Sequence, residues 1–179
     1  MQNSGVIDII YYIGFNGPIL NFVIVLLYLI YYQKYTLILV FCGGFLINYI
    51  INGVLKEIIR EPRPRPTSYK TPTELQNNYL LVISHFTNGM NNEIHNGSQK
   101  YGMPSGHAQL CFYSIAFLFA IISKRHHYWI LIISTSVGIL TIFQRLKFRH
   151  HTVNQLFAGS LVGTLMGYGT NSLYKMIIG

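Results

Sequence analysis

Long blocks of apolar residues, separated by short polar turns, run through most of the chain. A block of about 18 or more apolar residues is long enough to cross a membrane as a helix. The pattern predicts five membrane-spanning helices, at residues 15–32, 36–55, 104–123, 128–144 and 152–178. A shorter apolar stretch at residues 5–14 contains Asp8, and we expect it to form an interfacial helix or a half-span.

A polar segment, residues 56–103, separates the second and third predicted spans. Its first part is rich in proline and its later part is rich in asparagine. Loops of this length are often functional in compact proteins. Within it we expect a short surface helix at residues 75–86, and Asn96 begins a glycosylation sequon.

Glycines recur in two of the predicted spans. They are Gly43, Gly44 and Gly53 in the second span, and Gly159, Gly163, Gly167 and Gly169 in the last. A spacing of about four residues places several of them on one helix face, where small residues permit close approach of another helix. We therefore expect the glycines of the second span, and several of those in the last span, to lie at helix–helix contacts.

The composition agrees with a single membrane domain over residues 1–179, because 51% of the residues are hydrophobic and only 10% are charged. The formal charge of +8 could indicate nucleic acid or anionic lipid. However, nine of the 13 lysines and arginines lie in residues 56–103 and 145–151, between predicted spans. We therefore predict no nucleic-acid partner. Both cysteines lie inside apolar spans, so we expect no disulfide, and the start of the chain shows no cleavable signal pattern.

Five spans place residues 56–103, residues 145–151 and the start of the third span on the same side of the membrane. At the start of that span stands Pro104-Ser105-Gly106-His107. Proline is favoured in a first helical turn, and we expect the amides at Ser105 and Gly106 to point outward. A helix N-terminus of this kind binds phosphate readily, and His107 adds a titratable group beside it.

Three cations accompany this motif on the same side. Lys56, Arg63 and Arg145 would supply point-charge and fork-shaped donors for phosphate oxygens. Pro62 ends the second helix, so Arg63 is held in an extended turn.

Two histidines adjoin the second basic loop, and residue spacing distinguishes them. His151 follows Arg145 by six residues, and we prefer it to its neighbour His150 on that ground. Gln155 follows His151 by four residues, a spacing at which its side chain can bond the far imidazole nitrogen.

Histidines and cations without a carboxylate cluster favour phosphoryl transfer that needs neither metal nor cofactor. One histidine would attack phosphorus to form a covalent phosphohistidine, and the other would protonate the leaving oxygen. The cations would stabilise negative charge in the transition state.

The motifs Lys56-x6-Arg63-Pro64, Pro104-Ser105-Gly106-His107 and Arg145-x5-His151 resemble the three signature motifs of the type 2 phosphatidic acid phosphatase (PAP2) superfamily. The resemblance implies an all-α membrane helix bundle, with the architecture that these phosphatases share with vanadium haloperoxidases. It further implies that His151 is the nucleophile and His107 the acid/base. It assigns the phosphate cradle to Lys56, Arg63, Ser105, Gly106 and Arg145.

The first motif, with its Glu61-Pro62-Arg63-Pro64, and the segments at residues 101–109 and 151–155 resemble the dolichyl diphosphatase branch. Most of the superfamily has Asp where this chain has Gln155, whereas this branch and the glucose-6-phosphatase branch have Gln. The resemblance implies hydrolysis of a polyprenyl diphosphate to the monophosphate and inorganic phosphate. It also implies a role in the N-glycosylation pathway, in the endoplasmic reticulum membrane, with a lumenal site.

Other functions stay open at this point. The chain could be a broad phosphatase for phosphatidate or undecaprenyl diphosphate, or an inactive protein that keeps the fold, which Gln155 alone favours. A channel or transporter would need more polar residues inside its spans than Asn21, Asn48 and Asn52. Basic residues near the site would predict a cytosolic face. Since several of them serve the site, the orientation stays open as well.

Overall fold

The computed structural model describes residues 11–64, 101–122 and 127–178. Its helices are α1 (Gly17–Tyr31), α2 (Tyr35–Ile59), α3 (Gly106–Ile121), α4 (Tyr128–Lys147) and α5 (Val153–Ile177). Across these ranges no strand forms, and Pro62 and Tyr101 make an isolated antiparallel bridge. The all-α prediction is confirmed for this part of the chain, and each helix overlaps one of the predicted spans.

Two of the helices, α2 and α4, are long and apolar enough to cross a membrane, with mean hydropathies of 2.0 and 1.6. Helices α1 and α3 are apolar but shorter. Many large apolar side chains point outward, among them Leu39, Trp129 and Leu165, which are 76%, 58% and 63% exposed. Such extensive apolar exposure suits a surface that faces lipid. The count of five spans stays a prediction.

The apolar core lies at the end of the bundle where α1 ends and α2 begins. Val25, Leu29, Phe41 and Phe117 are fully buried there, together with Tyr113. The Tyr113 hydroxyl donates a hydrogen bond of 2.9 Å to the carbonyl of Phe41, so the buried phenol is satisfied. This packing joins α2 to the later half of α3.

Backbone contact between α3 and α5 depends on three glycines. A Cβ atom at Gly159, Gly163 or Gly167 would collide with backbone atoms of α3 or of its N-cap. The three α3-side carbonyls lie four residues apart, at Ser105, Gln109 and Tyr113. The expected small-residue contact is therefore confirmed for these glycines.

The other glycines singled out in the sequence are of two kinds, those that contact another helix and those that do not. Gly44 lies against the Tyr113 hydroxyl and Thr170, as expected for a helix contact. Gly43 and Gly53 face open space, so the prediction that they lie at helix contacts was wrong. Gly169 also faces open space, while the other three glycines of α5 form the contact. Spacing alone cannot decide this, because it does not say which face meets a partner.

Some predictions fall outside the described residues, namely the start of the chain to residue 10, the surface helix at 75–86 and the sequon at Asn96. Both cysteines are free, and the Cys111 thiol lies 3.6 Å from the Thr141 hydroxyl oxygen.

Gly163→Ala should destabilise the protein, because its new Cβ meets the α3 backbone, which cannot move aside as a flexible side chain would. Overpacking of this kind costs about 1–3 kcal/mol. Gly169→Ala is the matched control, since its Cβ enters open space and alanine favours helix by about 1 kcal/mol. Thermal unfolding in detergent should show a lower Tm for Gly163→Ala only. Equal Tm values for the two variants would contradict the backbone contact.

Candidate active site

The C-terminal ends of α2 and α4 meet the N-terminal ends of α3 and α5 at one end of the bundle, opposite the apolar core. All eight residues singled out in the sequence lie at this end: Lys56, Arg63, Ser105, Gly106, His107, Arg145, His151 and Gln155. The structure thus brings together three segments far apart in the chain, while the roles assigned to these residues stay predictions.

Gln155 binds His151 as expected, although not by stacking on one helix. His151 precedes the N-cap residue Thr152, and Gln155 occupies the first turn of α5. The side-chain oxygen of Gln155 lies 3.1 Å from Nδ1 of His151 and 3.3 Å from the backbone nitrogen of Thr152. The Thr152 hydroxyl accepts from the Gln155 backbone N–H at 3.2 Å, which completes a capping box.

The nitrogen end of the Gln155 side-chain amide determines which ring nitrogen of His151 carries the proton. Nε2 of Gln155 donates to Oε1 of Glu61 at 2.8 Å and to the carbonyl oxygen of Pro62 at 2.9 Å. Both partners can only accept there, so the amide oxygen must face His151. Nδ1 of His151 is therefore the donor, and Nε2 keeps its lone pair. That lone pair is what a nucleophilic imidazole requires.

The segment before α3 departs from the sequence prediction in two ways. Helix α3 begins at Gly106 with Ser105 as its N-cap, so Pro104 precedes the helix and does not lie in its first turn. The backbone N–H of Ser105 donates to the carbonyl of Gln155 at 2.9 Å and does not point outward. Ser105 instead offers its hydroxyl, which is buried and has no hydrogen-bond partner among the described residues.

Backbone contacts join the first motif to the second. The N–H of Gly102 donates to the carbonyl of Glu61 at 2.7 Å, and Nε of Arg63 lies 3.4 Å from the carbonyl oxygen of Tyr101. A Cβ at Gly102 would collide with the side-chain amide of Gln155. Only glycine leaves room for that amide.

Arg145 has the features of an anion-binding group. It is only 4% exposed, and within the described structure its Nε and Nη2 atoms have no hydrogen-bond partner. Buried donors are normally satisfied, and a guanidinium forms its strongest bonds with phosphate or carboxylate oxygens. Its Cζ lies 5.3 Å from the ring centroid of Phe15, whose ring also lies 5.8 Å from that of His107.

A buried amide network supports the second motif, and the sequence did not reveal it. The side chain of Gln109 donates to the side chain of Asn48 at 2.8 Å and accepts from Asn52 at 2.7 Å. Asn52 also donates to the carbonyl of Pro104 at 3.2 Å. Gln109 is fully buried, and its side-chain amide is used by Asn48 and Asn52 inside the bundle. The position of Gln109 in the motif at residues 101–109 drew attention to it. Its partners Asn48 and Asn52 are too distant in the chain for residue spacing to identify them.

The environment of His151 favours the neutral imidazole. Burial, followed by the charges of Arg63 and Arg145, lowers the pKa of His151 from 6.5 to about 2, although the hydrogen bond to Gln155 acts in the opposite direction. Burial and the same two arginines lower the pKa of His150 to about 4. The charge of Lys56 also acts on His151.

A model of the PAP2 superfamily matches residues 37–178 of the chain, and the chain belongs to that superfamily. Within it, the similarity is to the dolichyl diphosphatase branch. Dolichyldiphosphatase of Saccharomyces cerevisiae is 30% identical over 143 residues, which cover 76% of this chain and 49% of that protein.

Two mammalian relatives are similar at slightly lower identity. Dolichyldiphosphatase 1 of Mus musculus is 27% identical over 141 residues, covering 70% of this chain and 48% of that protein. Dolichyldiphosphatase 1 of Homo sapiens is 26% identical over 139 residues, with the same two shares of 70% and 48%. The chain spans about half the length of the curated relatives it matches. No solved structure matches it.

His151 should make the folded protein sensitive to acid. An unfolded histidine titrates near 6.5, whereas the pKa of His151 in the folded protein lies far lower. Below pH 6.5 the unfolded state therefore binds more protons, and stability falls as the pH drops towards the folded pKa. Between about pH 6 and 4.5 this effect lowers the free energy of unfolding by up to about 1.4 kcal/mol per pH unit. His151→Asn should remove this part of the pH dependence.

The measurement is the free energy of unfolding in detergent at several pH values. Lys147→Gln is the control, because it removes an exposed charge nearby and leaves His151 in place. Parallel pH curves for the wild type and His151→Asn would contradict the buried, neutral imidazole.

Proposed function

We propose that the protein is a membrane lipid phosphatase that hydrolyses a polyprenyl diphosphate, of the dolichyl type, to the monophosphate and inorganic phosphate. The observation that carries this proposal is the buried His151, whose tautomer leaves Nε2 unprotonated beside three cations. Membership of the PAP2 superfamily supports a phosphatase, and the dolichyldiphosphatase relatives support the substrate class.

The first step is attack by Nε2 of His151 on the terminal phosphorus. The new N–P bond forms as the bond from phosphorus to the bridging oxygen breaks. His107, which starts this step as the imidazolium beside the bound diphosphate anion, gives its proton to that leaving oxygen and becomes neutral. Lys56, Arg63 and Arg145 stabilise the charge on the remaining phosphoryl oxygens, with the Ser105 hydroxyl and the Gly106 amide as neutral donors. The lipid monophosphate is then released.

The second step restores the enzyme. His107 takes a proton from a water molecule, whose oxygen attacks phosphorus while the N–P bond breaks. Inorganic phosphate leaves, and His151 returns to its neutral form with its proton on Nδ1. Gln155 holds the ring in the same orientation through both steps. The proposed reaction assigns every proton transfer to a side chain of this protein and uses neither a metal nor a cofactor.

A lipid substrate agrees with the surface around the site. Apolar side chains at the same end of the bundle are largely exposed, among them Ile58 at 70%, Val153 at 66% and Phe157 at 69%. An isoprenoid tail can therefore remain in an apolar environment while its diphosphate reaches the cations. We further propose that residues 1–179 form one PAP2-type domain, with several membrane crossings and a lumenal site in the endoplasmic reticulum membrane.

Phosphate release tests this function directly. Purified protein in detergent with EDTA should release phosphate from a polyprenyl diphosphate faster than from phosphatidate or glucose 6-phosphate. His151→Ala should lose at least about 10³-fold in kcat, because the covalent route is closed. A 32P label from the terminal phosphate should appear on the protein after rapid quenching and should be absent from His151→Ala.

His150→Asn is the matched control, since it removes the adjacent histidine and should retain activity and labelling. Faster hydrolysis of phosphatidate would keep the site and change the substrate. Loss of activity with EDTA would contradict the metal-free mechanism, and no release from any substrate would reject the phosphatase function.

A further inference from the structure

Glu61 is linked to the imidazole of His151 through a single side chain. It lies two residues before Arg63, in the segment that leaves α2, and it is partly buried. Its Oε1 accepts from Nε2 of Gln155 at 2.8 Å, and Oε1 of Gln155 lies 3.1 Å from Nδ1 of His151. The three side chains form a continuous line of hydrogen bonds that ends on the imidazole.

We propose that Glu61 is a positioning residue for His151 and acts through Gln155; this inference rests on the function proposed above. A carboxylate only accepts hydrogen bonds, so Glu61 holds the nitrogen end of the Gln155 amide on its own side. The amide oxygen is thereby turned towards His151 and keeps the proton on Nδ1. Glu61 thus helps to set the tautomer in which Nε2 can attack.

The same line of bonds carries negative charge towards the ring. When Nε2 is bonded to phosphorus and Nδ1 keeps its proton, the imidazole is positively charged. Hydrogen bonds in a chain polarise one another, so the Glu61 carboxylate stabilises this cation through the intervening amide. Glu61 and Gln155 together therefore orient the ring and supply charge, the two effects that a single aspartate would have at position 155.

The contacts also explain why a carboxylate at position 155 does not suit this chain. Glutamate there would face the Glu61 carboxylate and the Pro62 carbonyl oxygen, so acceptors would meet without a donor. Replacing Glu61 by glutamine at the same time would return a donor to the pair. The two positions should therefore compensate for one another, which a purely local role for either residue would not produce.

A double-mutant cycle on polyprenyl diphosphate hydrolysis tests the proposal. Glu61→Gln should lower kcat by about tenfold with little change in KM, because phosphate binding is untouched while the imidazole loses its charge support. Gln155→Glu should lower kcat more strongly, by about 100-fold. Adding Glu61→Gln to Gln155→Glu should raise kcat again by about tenfold over Gln155→Glu alone.

The pH dependence of kcat/KM distinguishes a positioning role of Glu61 from an effect on protein stability alone. In the double variant the carboxylate lies directly against Nδ1, so the pKa of His151 rises and the acidic limb of kcat/KM moves to higher pH. Glu57→Gln is the matched control, because Glu57 is exposed in the last turn of α2, and it should behave as the wild type. A double variant no more active than Gln155→Glu, or an unshifted acidic limb, would overturn the role of Glu61.

Failure of the proposed function would look different. If the wild-type protein released no phosphate, the proposed phosphatase activity would be rejected. The role of Glu61 would then be tested by measurements that do not depend on catalysis. The Tm values of the same four proteins should show coupling between positions 61 and 155. The ring-nitrogen chemical shifts of His151 should show the Nδ1-protonated tautomer in the wild type and a mixture in Glu61→Gln. Additive Tm changes or identical tautomers would overturn the inference.

Discussion

The side-chain amide of Gln155 joins two distant parts of the chain, the segment after α2 and the start of α5. Its oxygen accepts from His151 and from the Thr152 backbone, and its nitrogen donates to Glu61 and to the Pro62 carbonyl. Because the amide is fully buried and all four of its bonding positions are used, loss of a partner leaves a polar atom unsatisfied. Each such loss costs about 1–3 kcal/mol. The orientation of the proposed nucleophile depends on this one group.

The free-energy cost of burying like charges at one end of the bundle has to be offset by favourable interactions elsewhere in the protein. Lys56 and Arg145 are 7% and 4% exposed, and Arg63 adds a third cation nearby. Charges of one sign at such a site repel one another and lose their hydration. The neutral state of His151 limits this repulsion, because a protonated ring would add another positive charge. The apolar core at the opposite end and the glycine contacts of α5 provide the compensating stability.

Much of the fold followed from the sequence, because apolar blocks of membrane-spanning length leave little choice but helix. The candidate site residues could also be named from the sequence, since the spacing from Arg145 to His151 is local, and their roles stay predictions. Contacts between distant residues were not accessible in this way. The Ser105 amide is turned inward by the carbonyl of Gln155, fifty residues later, and Gln109 bonds Asn48 and Asn52 across more than fifty residues. Local pattern carries no information about such partners.

The position of the site at the end of an apolar bundle limits what the protein can recognise. The proposed phosphate-binding groups lie at helix ends, whereas Ile58 and Phe157, within about a turn of those ends, are mostly exposed. A substrate with a phosphate head and an apolar tail can satisfy both regions at once, and a soluble phosphate ester can satisfy only the first. When the tail stays in the surrounding lipid, a longer tail makes no additional contacts with the protein. Recognition is therefore expected to lie in the diphosphate and in the first part of the tail, and to depend little on the length of the chain beyond it.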